Sequence, residues 1–313
     1  MSAKGVFLDC NPEEAWQYRL DRRANDIAVS QYDLPQLPDD PSEFYERLVE
    51  IEQKLIPNDD YQLGSAAGPN ELLTISGTGR SLLTAEHATD HWRIGKGAAV
   101  RRKSADYGTG GLALMFALEA DASTIIPVGR QTGDANFNPE HPVKEAMSEI
   151  IRQPFITAHL SIHGLARALA DHPRAERGYS VIFGIGHSPS DATNTLVNDY
   201  LLEAAKDCDL IAGINVGHMV FDMQNHRPAL NDDGTVKTTS FKAAGTNTTR
   251  SFAQKMAREA GKEDSFAAVQ IELSDALRYQ PAPDWFPSKQ DRDLGAYLGY
   301  VFMAKAVESV DKL

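Results

Sequence analysis

The run Phe155-Ile156-Thr157-Ala158-His159-Leu160-Ser161-Ile162-His163-Gly164 decides the fold class. It is strand-like over Phe155–Ile162 and closes on a histidine. Gly164 then lets the backbone turn sharply. A helix is expected just before it, over Val143–Arg152, and the same alternation extends outward from about residue 71. Further strands are expected at Leu72–Ser76, Leu82–Glu86, Thr124–Val128, Tyr179–Ile185, Leu210–Val216 and Phe266–Leu273. Helices are expected at Gly110–Glu119, Ala192–Lys206 and Ser251–Gly261. A last helix over Asp293–Val310 would carry Leu294, Leu298, Val301 and Phe302 on one face. Strands alternating with helices give an α/β fold, a single domain with a central mixed sheet flanked by helices. The turn Gly77-Thr78-Gly79-Arg80 would join the first two strands as a hairpin.

Residues 1–70 differ in composition. Acids and prolines crowd there, as in Leu34-Pro35-Gln36-Leu37-Pro38-Asp39-Asp40-Pro41. Ser42 is placed to cap a helix whose face carries Phe44, Leu48, Ile51 and Leu55. This segment reads as an N-terminal helical extension packed on a main domain of residues 71–313. The stretch 218–247, polar and rich in turn formers, reads as a lid or site-forming loop.

With 42% hydrophobic residues the chain can build a core. Its net charge of -13 disfavours nucleic acid and anionic membrane surfaces as partners. Two cysteines, Cys10 and Cys208, make neither a disulfide framework nor a cysteine metal site. The start of the chain has no long apolar segment, and no stretch reaches membrane-spanning length. A cytoplasmic protein acting on a small molecule is the plain expectation. Its oligomeric state is open.

Chemistry-bearing residues gather where strands end, as reactive groups do in open α/β sheets. His87 follows the apolar pair Leu82-Leu83 in Thr84-Ala85-Glu86-His87-Ala88-Thr89-Asp90. Asp90, three residues on, has usable metal-ligand spacing; His91 and Glu86 compete with it. A lone strand-end histidine more often satisfies a backbone group. The second one, His163, changes that balance, and His87, Asp90 and His163 together make a three-ligand zinc site with a fourth position for water. His159 lies farther back on the same strand. Glu272, in Val269-Gln270-Ile271-Glu272-Leu273, shares a strand face with Gln270 and suits a general base. Arg130 and Asn136, in Gly129-Arg130-Gln131-Thr132-Gly133-Asp134-Ala135-Asn136, would hold the substrate or steady an oxyanion, with Asp134 orienting them. Arg278 is a further anion clamp. Together these residues point to a metal-assisted hydrolase, with water as the attacking group.

Other motifs carry less. Gly108-Thr109-Gly110-Gly111 opens a helix and could cradle an anion, but lacks the phosphate-loop pattern. Gly184-Ile185-Gly186-His187-Ser188 is not a nucleophile elbow, although His187 could line the pocket. Cys208 stands between Asp207 and Asp209, which disfavour its thiolate.

The chain resembles the N-formylglutamate amidohydrolase family, within the zinc-carboxypeptidase-like superfamily. The resemblance rests on four segments in order: Glu86-His87-Ala88, Arg130 with Asp134-Ala135-Asn136, Ile162-His163-Gly164, and Gln270-Ile271-Glu272-Leu273. It covers roughly residues 80–280. It implies a zinc-carboxypeptidase-like fold and one zinc ion per chain, with other divalent metals as substitutes. Its implied metal ligands are His87, Asp90 and His163, and its implied base is Glu272. Arg130 and Asn136 would be substrate binders, and the substrate an N-acyl amino acid or an N-formylglutamate-like amide. A gamma-glutamyl peptide, an ester, or a silent binding site on the same fold are the alternatives. The superfamily often has glutamate where Asp90 stands, and usually arginine where Phe137 stands. The second departure removes a positive charge from the substrate side.

Overall fold

The computed structural model describes residues 41–55, 70–94, 100–103, 105–128, 131–165, 179–215, 217–278 apart from gaps at 220, 223, 226, 235–237 and 241–242, and 289–313. The first described element is α1 (Pro41–Leu55), followed by β1 (Leu72–Ile75) and β2 (Ser81–Thr84). A hairpin of β3 (His91–Ile94) and β4 (Val100–Lys103) precedes α2 (Thr109–Glu119) and β5 (Ser123–Pro127). Then come α3 (Pro142–Ile151), β6 (Ala158–Gly164) and β7 (Val181–Gly184). The helix over 191–207, α4, is α-helical at Asp191–Thr195 and Leu202–Asp207 and π-helical between, at Leu196–Leu201. After β8 (Ala212–Ile214) lie four short strands: β9 (Gly217–Met219), β10 (Phe221–Asp222), β11 (Arg227–Pro228) and β12 (Thr238–Ser240). They pair two by two within the stretch expected to be irregular. The chain closes with α5 (Thr249–Glu259), β13 (Ala267–Leu273) and α6 (Lys289–Val310).

Seven strands form one sheet in the order β1-β5-β2-β6-β13-β7-β8. Strands β5, β2, β6 and β13 are parallel; β1 runs against β5, β7 runs against β13, and β8 is parallel to β7. The α/β mixed sheet is therefore as expected, but the hairpin across 77–80 is not formed. β5 lies between β1 and β2, and β1 pairs with β5. The turn packs instead on the loop before β5. The Gly79 N–H donates to the Asp121 carbonyl at 2.9 Å, and a Cβ on Gly77 would collide with that same oxygen.

Side chains alternate between the two sheet faces. One face, with Leu83, Leu160, Ile162, Val269 and Ile271, joins the larger core under α1, α2, α4 and α6. The other is apolar in its lower half, where Leu82 and Ala268 pack under α3 and α5. Its upper half carries buried polar groups: Thr84, Ser161, His163, Gln270 and Glu272. Three edges differ from expectation. β6 starts at Ala158, with Phe155 41% exposed. β2 ends at Thr84, so Glu86 lies beyond it. In α6 the buried face is Ala296, Phe302, Met303, Ala306, Val307 and Val310, whereas Leu294 is 48% exposed. Among the described residues no helix is long and apolar enough to cross a membrane.

The expected face of α1 is buried at Phe44, Leu48 and Ile51; the side chain of Leu55 lies outside the described residues. The helix begins at Pro41, one residue ahead of Ser42. Phe44 packs against Tyr297 and Tyr300 of α6, with ring centroids 5.7 and 5.0 Å apart. About two turns further on, α1 supplies a carboxyl to the Gly108–Gly111 cradle. Glu52 accepts from the backbone N–H groups of Gly108 and Gly111, both at 2.7 Å. Those are orphan donors of the α2 N-terminus, where Gly108 has a left-handed φ of 86 and no side-chain cap of its own.

Burial raises the Glu52 pKa from 4.5 to about 7, against the lowering effect of its two backbone bonds. A carboxyl whose pKa is raised on folding stabilises the fold below its unfolded value and loses that contribution as pH climbs through the folded one. Glu52→Gln should abolish this titration. Between pH 4.5 and 7 the wild type should lose about 2–3 kcal/mol relative to the variant, read from urea melts across that range. Parallel pH profiles for the two proteins would show that Glu52 does not titrate there.

Candidate metal centre

Three chain segments converge at the upper edge of the polar face. Glu86 and His87 follow the end of β2, and His163 is the penultimate residue of β6. Asp106 sits in the turn between β4 and α2 and ties the other two segments together. Its N–H donates to the His87 carbonyl at 2.7 Å, and its Oδ2 accepts from the Gly164 N–H at 3.1 Å. Glu272 of β13 is in register with His163 of the parallel strand β6. Same-register residues of adjacent strands point to the same face, so the carboxyl and the imidazole are neighbours.

His87 and His163 offer Nδ1 to the same atom. Each Nδ1 lies 3.4 Å from Asp106 Oδ2. Their far nitrogens are held by other carboxylates: His87 Nε2 is 3.0 Å from Asp134 Oδ1, and His163 Nε2 is 3.2 Å from Glu86 Oε2. Two imidazole nitrogens and a carboxylate oxygen, all within 4.8 Å of one another, fit the donor set of a divalent ion. The side chain of Asp106 is 22% exposed against 9% for His87 and 3% for His163, so the set opens to solvent on the aspartate side. A second grouping, His87, His91 and Asp134, shares His87 through its Nε2. There the two rings stack at 4.2 Å, and His91 Nε2 lies 3.4 Å from Asp134 Oδ2 without forming a hydrogen bond.

The electrostatics follow from burying acids beside bases. Burial opposes charge on Glu86 and Asp106, but the facing imidazoles outweigh it and hold both carboxyls well below the usual range. Burial likewise opposes charge on His87, yet its hydrogen bonds to Asp106 and Asp134 raise it to about 9. His163 is raised too, by Glu86 and Asp106 against burial. His91, by contrast, is lowered, chiefly by burial. Burial also raises the Glu272 carboxyl, although the charge of His163 pulls the other way.

The other expected site residues fall in several places. Asp90 lies in neither grouping; its Oδ1 accepts from the Ala105 N–H at 2.9 Å, and the acid facing both imidazoles is Asp106. Nothing in the spacing from His87 marked Asp106. Its place just before the Gly108–Gly111 helix start was the available signal. Asn136 is fixed through Oδ1, which accepts from the Thr249 N–H and Oγ1 at 3.0 and 3.1 Å, and this leaves Nδ2 3.3 Å from His163 Nε2. Arg130 lies outside the described residues. Arg278 is buried, and its guanidinium donates to the carbonyls of Leu273, Tyr107 and Leu165 at 3.1, 2.8 and 2.9 Å. Each of its three nitrogens thus serves a main-chain carbonyl. Arg278 also explains Gly164, where a Cβ would collide with the guanidinium. His187 is exposed beyond the end of β7, which runs away from Glu272. Cys208 is buried, and burial raises its thiol.

No family model and no curated protein matches the sequence. Solved structures resemble it distantly. A gene product of Agrobacterium tumefaciens is 15% identical, over 76% of this chain and 94% of its own, with a TM-score of 0.41. A metallo-carboxypeptidase from Burkholderia cenocepacia is 12% identical, over 85% of this chain and 69% of its own, with a TM-score of 0.38. Futalosine hydrolase of Helicobacter pylori is 12% identical, over 74% and 97%, with a TM-score of 0.32. Likenesses this distant assign no activity to the chain.

The two acids near His87 are separable by experiment. Asp106→Asn should weaken zinc uptake by more than the roughly 10–100-fold that outer partners of a ligand are worth, and Asp90→Asn should weaken it less. Equilibrium dialysis of the metal-free variants measures both. A larger loss in Asp90→Asn would return the ligand role to Asp90.

Proposed function

We propose that this chain is a metal-dependent hydrolase of a small, carboxylate-bearing amide, an N-acyl amino acid or an N-formylglutamate-like compound. One observation carries the reading: His87 and His163 turn Nδ1 toward a shared Asp106 oxygen while separate carboxylates hold their Nε2 atoms. Metal-bound histidines take that form, with the far ring nitrogen committed to a carboxylate. The second grouping is disfavoured because the far nitrogen of His91, Nδ1, has no hydrogen-bond partner behind it. His87, His163 and Asp106 would hold the ion, and zinc suits imidazole and carboxylate donors. When bound, the ion supplies a Lewis acid that polarises the scissile carbonyl and lowers the pKa of water.

The remaining work falls to the protein. Glu272, beside His163, takes a proton from the attacking water as its oxygen bonds to the carbonyl carbon. The same carboxyl returns that proton to the amine nitrogen as the carbon-nitrogen bond breaks. Gln270 Nε2 donates to Glu272 Oε1 at 2.9 Å and aims the carboxylate. Asn136, clamped by Thr249, offers its amide N–H groups to the developing oxyanion. Arg130 follows the resemblance as the residue that binds the substrate carboxylate. The compartment proposed is the cytoplasm.

Glu272→Gln should lower turnover of the zinc-loaded protein by roughly 10²–10⁴-fold and leave zinc content unchanged. A panel of N-acyl amino acids, gamma-glutamyl peptides and esters, assayed for amine or alcohol release, measures it. Undiminished turnover in the variant would remove Glu272 as the base. No turnover of any amide by the zinc-loaded wild type would remove the amidohydrolase reading.

A further inference from the structure

We propose that Glu86 is a positioning residue. Its buried carboxylate accepts a hydrogen bond from the Nε2–H of His163 and thereby fixes the ring with Nδ1 toward Asp106. The inference rests on the metal centre described above, and adds the residue that sets its tautomer.

Glu86 is 1% exposed and sits in a shell of donors. Thr84 Oγ1 donates to Oε1 at 2.6 Å, and Ser161 Oγ approaches both oxygens at 2.9 and 3.0 Å. His163 Nε2 adds a further donor, 3.2 Å from Oε2. The direction of these bonds is constrained from behind. Burial keeps His159 neutral, lowering its pKa to about 4. Its Nε2 lies 2.8 Å from Thr84 Oγ1. Thr84 has one proton and spends it on Glu86, so it accepts from the His159 Nε2–H. Donors therefore point at Glu86 from both sides.

Asn136 sharpens the assignment at His163. Its Oδ1 is taken by Thr249, so the group 3.3 Å from His163 Nε2 is an amide nitrogen, itself a donor. Two donors cannot bond each other. The Nε2 proton goes to Glu86, and the Asn136 amide protons stay free for an oxygen from another source. With Nε2 protonated, the lone pair of a neutral His163 is on Nδ1, the atom that faces Asp106. Glu86 and His87 are adjacent in sequence yet divide the work: one holds a ligand from behind and the other is a ligand.

The test compares wild type, Glu86→Gln and Ser161→Ala, each prepared metal-free and titrated with zinc against a chromophoric chelator. Nitrogen-15 NMR of the zinc-loaded proteins then reads the His163 ring. Glu86→Gln keeps the shape of the side chain but removes its charge. It should weaken zinc binding roughly 10–100-fold and shift or abolish the slowly exchanging Nε2–H resonance seen in the wild type. Ser161→Ala should weaken binding less, in the same direction. Unchanged affinity and an unchanged Nε2–H signal in Glu86→Gln would overturn the positioning role while leaving the centre intact. A wild type that takes up no zinc would overturn the centre and this role together. If Glu86→Gln fails to fold, Ser161→Ala decides: weaker zinc binding supports the role, and wild-type affinity sinks it.

Discussion

Burying carboxylates beside imidazoles is the constraint around which this molecule is arranged. Glu86 and Asp134 are almost wholly enclosed, and Asp106 is largely so. Isolated charges in such places cost several kcal/mol or more unless paired and hydrogen-bonded. Here His87 and His163 supply the pairing, and each bridges two acids. The sheet accommodates this by dividing one of its faces. Below, Leu82 and Ala268 pack under α3 and α5; above, Thr84, Ser161 and Gln270 provide the hydrogen bonds that buried acids require.

The loops that carry the site are held by other buried charges, each attached to the main chain. Glu52 closes the start of α2, three residues past Asp106. Arg278 joins the carbonyls of Leu273, Tyr107 and Leu165, at the upper ends of β13 and β6 and the turn after Asp106. Lys144 donates to the carbonyls of Asn138 and Asn247, joining the loop after Asn136 to the segment before Thr249. Charged hydrogen bonds of this kind are worth more than neutral ones. They fix irregular backbone where a site needs defined positions, and they explain why α1 belongs to the same structure as the site.

Much of the frame was legible in the sequence because it follows from periodicity. All seven strands of the sheet and the five helices after α1 fall close to their expected places. The apolar face of α1 could be read from Phe44, Leu48 and Ile51. The order of strands could not: β1 and β2 are joined by a turn fit for a hairpin, yet β5 lies between them and the turn packs on Asp121 instead. At the site, His87 and His163 stood out as strand-end histidines, and they do meet. Asp106 did not stand out, because it comes from a turn whose approach depends on the hairpin β3–β4, which carried no clear pattern. The carbonyls that Arg278 serves were not legible either, because sequence shows the charge but not its partners. Asp90 satisfied a spacing rule, but its carboxylate caps the Ala105 N–H.

The most direct test of the centre is a crystal structure of the zinc-soaked protein with anomalous data at the zinc edge. The account predicts one strong peak, about 2.0–2.2 Å from His87 Nδ1, His163 Nδ1 and an Asp106 oxygen, with Glu86 and Asp134 still on the far nitrogens. A peak between His87 Nε2, His91 and Asp134, or no peak at all, would contradict it.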